Sequence, residues 1–411
     1  MSLQRVAFSP LHTFTRATNE TFFNQVVDSF GNVSYQLQTA PSGTAVQNAY
    51  NPATGEPLGL QVFEQRTNLL TYSEQLNDAS WSKANSTVSA NATIAPDGTL
   101  TADAIIESLD ASAASHQTVK NASFTAGQKY TLSFFAKSNG REYITIRIFA
   151  GTAFAANKIV SFDLQNGTAV NSVSFPADSF SIQSAGNGWY RCSITATADN
   201  SGTNSSGFLI AESSSSTTYI GDGVSGLYIW GAQLEAGAFP TPYIKTEATT
   251  ATRNASVAVI NDIDESEWWN PSEGTFVVEL TRSSVNAIRS ERIIEVSDGT
   301  TANRVLIQKA AGLNLGQIIT INGGVSVIND FTISQALDSV KIAFNLTSSA
   351  FKLSLNGGSV ASFSETIPLS GFSQLRIGTA ITGMFLNGHI AKIQYYPTAV
   401  SDAKLQELST L

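Results

Sequence analysis

Lys129-Tyr130-Thr131-Leu132-Ser133-Phe134-Phe135-Ala136-Lys137-Ser138-Asn139-Gly140-Arg141-Glu142-Tyr143-Ile144-Thr145-Ile146-Arg147-Ile148 is the stretch that decides the fold class. Tyr130, Leu132 and Phe134 alternate with Thr131, Ser133 and Phe135, and Ile144, Ile146 and Ile148 alternate with Thr145 and Arg147. Successive side chains of a strand point to opposite faces, so an apolar period of two marks a strand with one buried face. Asn139-Gly140 between two such runs is a strong β-hairpin signal, because both residues accept positive φ. The expectation is a hairpin joining 130–135 to 144–148.

Working outward, further strands are expected at Ile159–Leu164, Trp189–Ala196, Gly207–Ala211 and Leu227–Leu234. No helical pattern separates them, which favours antiparallel sheets over a parallel α/β architecture. Residues 67–246 therefore read as one jelly-roll β-sandwich. The stretch Ala248-Thr249-Thr250-Ala251-Thr252 builds no core, so 247–273 reads as a linker, closed by Pro271. From Gly274 the alternation returns at Phe276, Val278 and Leu280, at Val340, Ile342, Phe344 and Leu346, and at Phe351, Leu353 and Leu355 before Asn356-Gly357-Gly358. Ser401 reads as the N-cap of a short closing helix with Leu405 and Leu408 on one face. Residues 274–411 make the second sandwich.

Residues 1–66 hold short strand-like runs (Phe22-Phe23, Val26-Val27, Val33, Tyr35, Leu37) between turns at Ser29–Asn32, Pro41–Gly43 and Asn51–Gly55. So small a segment makes a poor core of its own. It is expected to be a β-rich arm ordered by packing on later domains, sister chains or a docking partner. The fold class is thus all-β: two β-sandwich domains in succession, preceded by a short β-rich N-terminal arm.

Of 411 residues, 42% are hydrophobic and only 13% charged, about half the usual share. Real cores are possible, and Ser, Thr, Asn, Gln and Gly must build much of the surface. Lys and Arg number 23 against 32 Asp and Glu, a net charge of −9, which does not suit a run of phosphates. No nucleic-acid partner is expected. No stretch approaches the roughly 18 apolar residues of a membrane span, and the first residues show no signal-peptide pattern. The expectation is no membrane insertion and synthesis in a bacterial cytoplasm.

Catalytic chemistry is sparse in the sequence. His12, His116 and His389 are scattered, and His389 beside the last strand reads as structural. Cys192, the sole cysteine, reads as a buried small hydrophobe. Asp262, Asp264, Glu265 and Glu267 form the one dense acidic run and read as a solvated surface. Asp298, Asn303 and Asp330 are calcium-type ligands by residue type alone, with no supporting spacing. The expectation is no catalytic residue, no metal and no cofactor. Sugar faces stack on aromatic rings. Trp189 and Trp230 read as core, whereas Trp81, Trp268 and Trp269 flank turns or the linker and are the glycan-binding or interface candidates.

Three segments carry a resemblance. Asn51-Pro52-Ala53-Thr54-Gly55-Glu56-Pro57-Leu58-Gly59-Leu60 runs into Glu64-Gln65-Arg66-Thr67-Asn68-Leu69-Leu70-Thr71-Tyr72-Ser73 and Trp81. Gly188-Trp189-Tyr190-Arg191 is followed by Tyr228-Ile229-Trp230-Gly231-Ala232-Gln233-Leu234-Glu235-Ala236-Gly237 and Pro242-Tyr243-Ile244. Together they resemble a module frequent in tailed-bacteriophage virion proteins, with a carbohydrate-binding-module-like jelly roll. Gly388-His389-Ile390-Ala391-Lys392-Ile393-Gln394-Tyr395-Tyr396-Pro397 with Leu405-Gln406-Glu407-Leu408 resembles the end of laminin-G-like, concanavalin-type jelly rolls.

The resemblance implies a structural virion protein: a non-enzymatic tail fibre or appendage adhesin that binds host cell-surface polysaccharide. It implies a homotrimer, joined through the N-terminal arm to other virion proteins of tail, baseplate or capsid. The alternative is a purely structural head-decoration protein, head fibre or adaptor for another fibre.

Overall fold

The computed structural model describes residues 13–15, 20–27, 33–42, 46, 49–282, 290–311, 315–332 and 339–411. Among them, thirty strands stand against one eight-residue α-helix, so the fold is all-β. The expected turns at Ser29–Asn32 and at Gly43, and His12, lie outside the described residues.

The first sandwich has two six-stranded antiparallel sheets. One runs, in spatial order, Thr168–Asn171, Lys158–Asp163, Tyr143–Ile148, Gly202–Ala211, His116–Phe124, Ser82–Ala84. The other runs Ser179–Gly186, Trp189–Thr197, Lys129–Asn139, Gly226–Ala236, Ala102–Glu107, Ser86–Thr93. Leu132, Phe134, Ile144, Ile146, Phe162, Cys192, Ile194, Phe208 and Leu234 fill the space between them. Burial pushes the Cys192 thiol well up, as suits an inert core residue.

The hairpin expected at Asn139-Gly140 does not form. Lys129–Asn139 pairs with Trp189–Thr197 and Gly226–Ala236, whereas Tyr143–Ile148 pairs with Lys158–Asp163 and Gly202–Ala211. The turn carries the chain from one sheet to the other. Gly140 does supply positive φ, at 90°, but the backbone then docks on Gly226 through the Arg141 amide at 3.1 Å. The Arg141 guanidinium clamps Glu107 with two bonds of 2.9 and 2.6 Å, and Tyr219 Oη donates to the same carboxylate at 2.7 Å. A bidentate charged pair at the corner holds an arch where local turn chemistry alone would have made a hairpin.

Thr131, Ser133 and Phe135, on the outer face of their sheet, are also buried. Phe135 packs with Trp189, Trp230, Tyr243 and Leu37 of the N-terminal hairpin. That hairpin pairs Glu20–Val27 with Val33–Ala40, and the Leu37 amide donates to Pro96 O at 2.8 Å. Below Phe135, Glu235 accepts from the Thr241 amide (2.8 Å), Thr241 Oγ1 (2.6 Å) and Gln233 Nε2 (2.8 Å). This sheet is covered on both faces, so the open face of the first sandwich belongs to the other sheet.

The second sandwich recruits strands from beyond 274–411. Pro57–Val62, placed in the arm by sequence, pairs with the final strand Gly388–Tyr396. Val257–Ile260, placed in the linker, pairs with Gln374–Ile377. Leu60, Val62, Ala258, Ile260, Ile263 and Trp269 all enter the same core as Phe276, Val278, Phe344 and Leu353. The boundaries expected at 66 and at 247–273 therefore shift: the chain leaves this sandwich after Val62, builds the first sandwich, and re-enters near Val257. Arg66–Asn68 and Ala251–Arg253 form a two-stranded stalk at the crossing. The physical reason is burial. Val257-Ala258-Val259-Ile260 gains more by completing a core than a linker gains by exposure.

The closing helix is Asp402–Ser409, with Ser401 Oγ accepting the Lys404 amide and Leu405 buried. Asp262, Asp264, Glu265 and Glu267 are exposed around the buried Ile263.

His389 lies in the final strand, with Nε2 3.2 Å from Gln61 Oε1 and its ring edge-on to Phe63 at 5.7 Å. Burial lowers its pKa to about 4. The unfolded chain holds a proton near an ordinary 6.5 that the folded chain does not, so stability is complete above about 6.5 and is lost as pH falls toward 4. The ring keeps some exposure, so the loss is expected at about 2 kcal/mol. His389→Gln should flatten this part of a denaturation-versus-pH series, and an unchanged slope would refute the assignment.

Candidate functional site

The open face of the first sandwich is built from alternate residues of neighbouring strands. Register places Ser161, Thr145, Leu209, Gln117 and Ala84 in one row, and Ile159, Arg147, Gly207, Val119 and Ser82 in the next; Ser161, Thr145 and Leu209 are covered, so the accessible part of the face begins with the second row. Asn121 and Ser205, then Ser123 and Thr203, continue it. The same alternation sends Ile144, Ile146, Phe208 and Ile210 to the core and leaves a mixed face, polar at Arg147, Gln117, Asn121, Ser205, Ser123 and Thr203 and apolar at Ile159 and Val119.

Gly207 sits at the middle of its row. A Cβ there would lie 2.2 Å from Thr118 O and 2.7 Å from Val119 Cα, so no larger residue fits without moving backbone. The row dips at Gly207, between Arg147 and Val119. Beside it opens a groove of about 430 Å³, lined by Gln117, Val119, Asn121, Phe149, Gly151, Thr152, Thr203 and Ser205 among others.

One wall is the loop after Tyr143–Ile148. Asn204, from the sheet, pins it: Oδ1 accepts the Ala153 amide at 2.7 Å and Nδ2 donates to Phe149 O at 2.7 Å. Asn157 Oδ1 accepts from the Ala150 amide (2.9 Å) and from Arg147 Nε (3.2 Å). The Arg147 guanidinium lies over the Phe149 ring, 4.3 Å from its centroid. Burial lowers the Arg147 pKa. Its terminal nitrogens have no hydrogen-bond partner among the described residues, so they remain available to a ligand. Ser205 Oγ donates to Asn121 Oδ1 at 2.6 Å, which leaves the Asn121 amide NH2 toward the groove.

The groove's lining thus offers amides, hydroxyls and a phenyl ring, and the Arg147 guanidinium stacks on that ring from outside the lining. The lining contains no carboxylate, histidine or cysteine. Side chains of this kind hydrogen-bond to a polyhydroxylated, uncharged molecule, while phenyl and guanidinium planes cover its apolar faces.

The tryptophans expected at a binding surface lie elsewhere and apart. Trp81 is 1% exposed in the first core, with Nε1 donating to Tyr72 O at 3.1 Å and the Lys120 ammonium 5.1 Å above its ring. Trp269 is buried in the second core, stacked on Tyr395 at 5.5 Å. Trp268 is half-buried and edge-on to Trp269 and Tyr395, at 6.1 and 5.4 Å. Buried rings cannot offer a face to a sugar, so Trp81 and Trp269 are corrected to core residues; Trp268 packs on that core and keeps part of its surface exposed. Trp189 and Trp230 are core too, donating to Ile94 O and Thr101 Oγ1. Asp298 bonds to Thr300 and Asn303 within one turn, and Asp330 accepts from Gln317 Nε2 at 2.9 Å.

Sequence reasoning missed Gln117, Asn121, Phe149 and Ser205. Its one usable signal was the alternation that already set Thr145 and Arg147 opposite the isoleucines.

No family model matches the chain, and no curated protein sequence matches it. Similar solved structures include the CBM40 of the Ruminococcus gnavus IT-sialidase bound to α2,6-sialyllactose: 18% identity, 36% of this chain and 91% of that chain covered, TM-score 0.30. Domains LG4–5 of the mouse laminin α1 chain share 11% identity over 66% of this chain and 83% of that chain, TM-score 0.24. The LG1–3 region of the laminin α2 chain shares 11% identity over 72% of this chain and 66% of that chain, TM-score 0.26. At such identities and scores, function has to be read from this chain's own groove.

Proposed function

We propose that the chain is a non-enzymatic adhesin that holds an uncharged stretch of surface polysaccharide in the groove beside Gly207. The observation that carries this reading is the groove's chemistry: amide and hydroxyl groups beside a phenyl ring and its stacked guanidinium, in a lining with no carboxylate, histidine or cysteine to activate a hydroxyl or move a proton. The phage-like segments at 51–81 and 188–244 support a place on a virion appendage, with host polysaccharide as the partner.

A shallow groove loses ordering entropy and buries little area, so affinity per site is expected in the micromolar to millimolar range. Copies on one particle would raise apparent binding roughly 10²–10⁴-fold. A homotrimer supplies such copies. Strand Val325–Thr332 ends its sheet with Val325 70%, Val327 39% and Ile328 55% exposed, an apolar edge suited to pairing with a sister chain. Ile328→Lys is expected to shift the light-scattering mass toward 43.6 kDa. A monomeric wild-type protein would remove the trimer.

The test of binding is a glycan array probed with the full chain, Arg147→Ala and Asn121→Ala, followed by calorimetry on the hits. Each substitution is expected to weaken binding about tenfold, the effect of losing one or two ligand hydrogen bonds. Equal binding by both variants, or release of reducing ends from the bound glycan, would overturn the reading.

A further inference from the structure

The second sandwich carries a charge imbalance on the outer face of the sheet that contains Glu291–Ser297, Arg304–Lys309 and Gln374–Ile377. Register sets Arg376 beside Glu295, Arg304 beside Ser297 and Arg292 beside Gln308. All of these lie opposite the core residues Ile294, Val296, Val305, Ile307, Leu375 and Ile377. Alternation sends Glu291 and Lys309 to the other face.

Glu295 is fully buried. Its Oε2 accepts from Arg304 Nη1 at 3.1 Å, while its Oε1 accepts the Ile381 amide at 3.1 Å and lies 3.9 Å from Arg376 Nε. Among the described residues, three guanidinium groups around one carboxylate leave two positive charges uncompensated. Arg292 is 2% exposed, and its hydrogen bond is from Nη2 to the Met384 sulfur at 3.2 Å. Among the described residues its Nε and Nη1 have no hydrogen-bond partner, nor have the Nε atoms of Arg304 and Arg376. Burial pushes the Arg292 pKa down to about 10; Glu295 opposes the shift and Arg304 adds to it.

Buried donors without acceptors are costly, and buried like charges more so, unless something of opposite sign completes the set. The planar fork of a guanidinium matches the paired oxygens of a carboxylate or sulfate. We propose that this face is a binding site for such an oxyanion, held between Arg292, Arg304 and Arg376 once the 40%-exposed Met384 moves aside. The site is separate from the groove of the first sandwich and does not depend on what that groove binds.

The test is calorimetry on the full chain at constant low ionic strength with three probes: sodium sulfate, an oligogalacturonate and its neutral methyl ester. Binding of the first two and not of the ester is expected. Arg376→Gln leaves the Glu295–Arg304 pair in place and should weaken binding roughly ten- to a hundredfold. Arg292→Met removes a buried charge with little change of shape, so it should melt at or above the wild-type temperature while losing the oxyanion. That combination separates lost binding from lost fold. Oligogalacturonate binding tenfold tighter than sulfate would identify a saccharide-borne group, and equal affinity a free anion; both uphold the site. No heat with either probe, wild-type affinity in both variants, or ordered water alone among the arginines in a crystal grown with sulfate would overturn it.

Discussion

Residues 274–411 expressed alone are expected to show no cooperative unfolding transition. That fragment lacks Leu60, Val62, Ile260 and Ile263, each 9% exposed or less in the second core. Full burial of such a side chain contributes about 1.5–3 kcal/mol, so the four together are worth about 6–12 kcal/mol, comparable to the whole net stability of a domain. It also lacks Pro57–Val62, leaving the final strand Gly388–Tyr396 unpaired on one side. The complementary chain, 46–66 joined by a short linker to 252–411, restores both strands. Its junction is close, because Thr67 and Thr252 bring their Oγ1 atoms within 2.7 Å across the stalk. That chain should melt in a single transition by calorimetry. A folded 274–411 fragment would show that the flanking strands are dispensable.

Arg253→Ala is expected to cost about 3–5 kcal/mol, which in a protein of this size lowers the melting temperature by roughly 10 °C. Arg253 is 1% exposed at the stalk. Nη1 lies 3.3 Å from Glu20 Oε1, Nη2 donates to Glu64 O at 2.6 Å, and the guanidinium sits 5.7 Å from the Phe63 ring centroid. Glu20 has no exposed side-chain surface, so truncating Arg253 removes the guanidinium from a carboxylate held out of water. The double variant Glu20→Gln/Arg253→Met should recover most of the loss, because a buried ion pair costs more to break than to replace. Equal melting temperatures for the single and double variants would show that the pair is not coupled. The measurement also reports on the arm, since Glu20 begins the hairpin that covers Phe135 and Trp230 through Leu37.

Alternation made nearly every long strand legible. Ile144, Ile146 and Ile148 reach the core, as do Val340, Ile342, Phe344 and Leu346. Pairing was not legible, for a physical reason at each failure. At Asn139-Gly140 the local turn preference was overridden by the Glu107–Arg141 clamp, whose partners are 34 residues apart. Pro57–Val62 and Val257–Ile260 are too short to announce a sheet, and the strands that bind them into the second sandwich, Gly388–Tyr396 and Gln374–Ile377, lie more than 100 residues away. Trp81 and Trp269 were misplaced because sequence neighbours near turns say little about burial. The groove needs three strands that are not consecutive, 116–124, 202–211 and 143–148, so no single window displays it.

The proposal that the groove is the binding surface is tested most directly by amide chemical-shift mapping. The full chain would be isotope-labelled and titrated with the highest-affinity array hit. Shifts are expected to concentrate at Gln117–Asn121, Phe149–Thr152 and Thr203–Gly207, with the covered sheet around Thr131–Phe135 unchanged. Shifts confined to that opposite sheet or to the loop Tyr219–Ser225, with the groove silent, would contradict it.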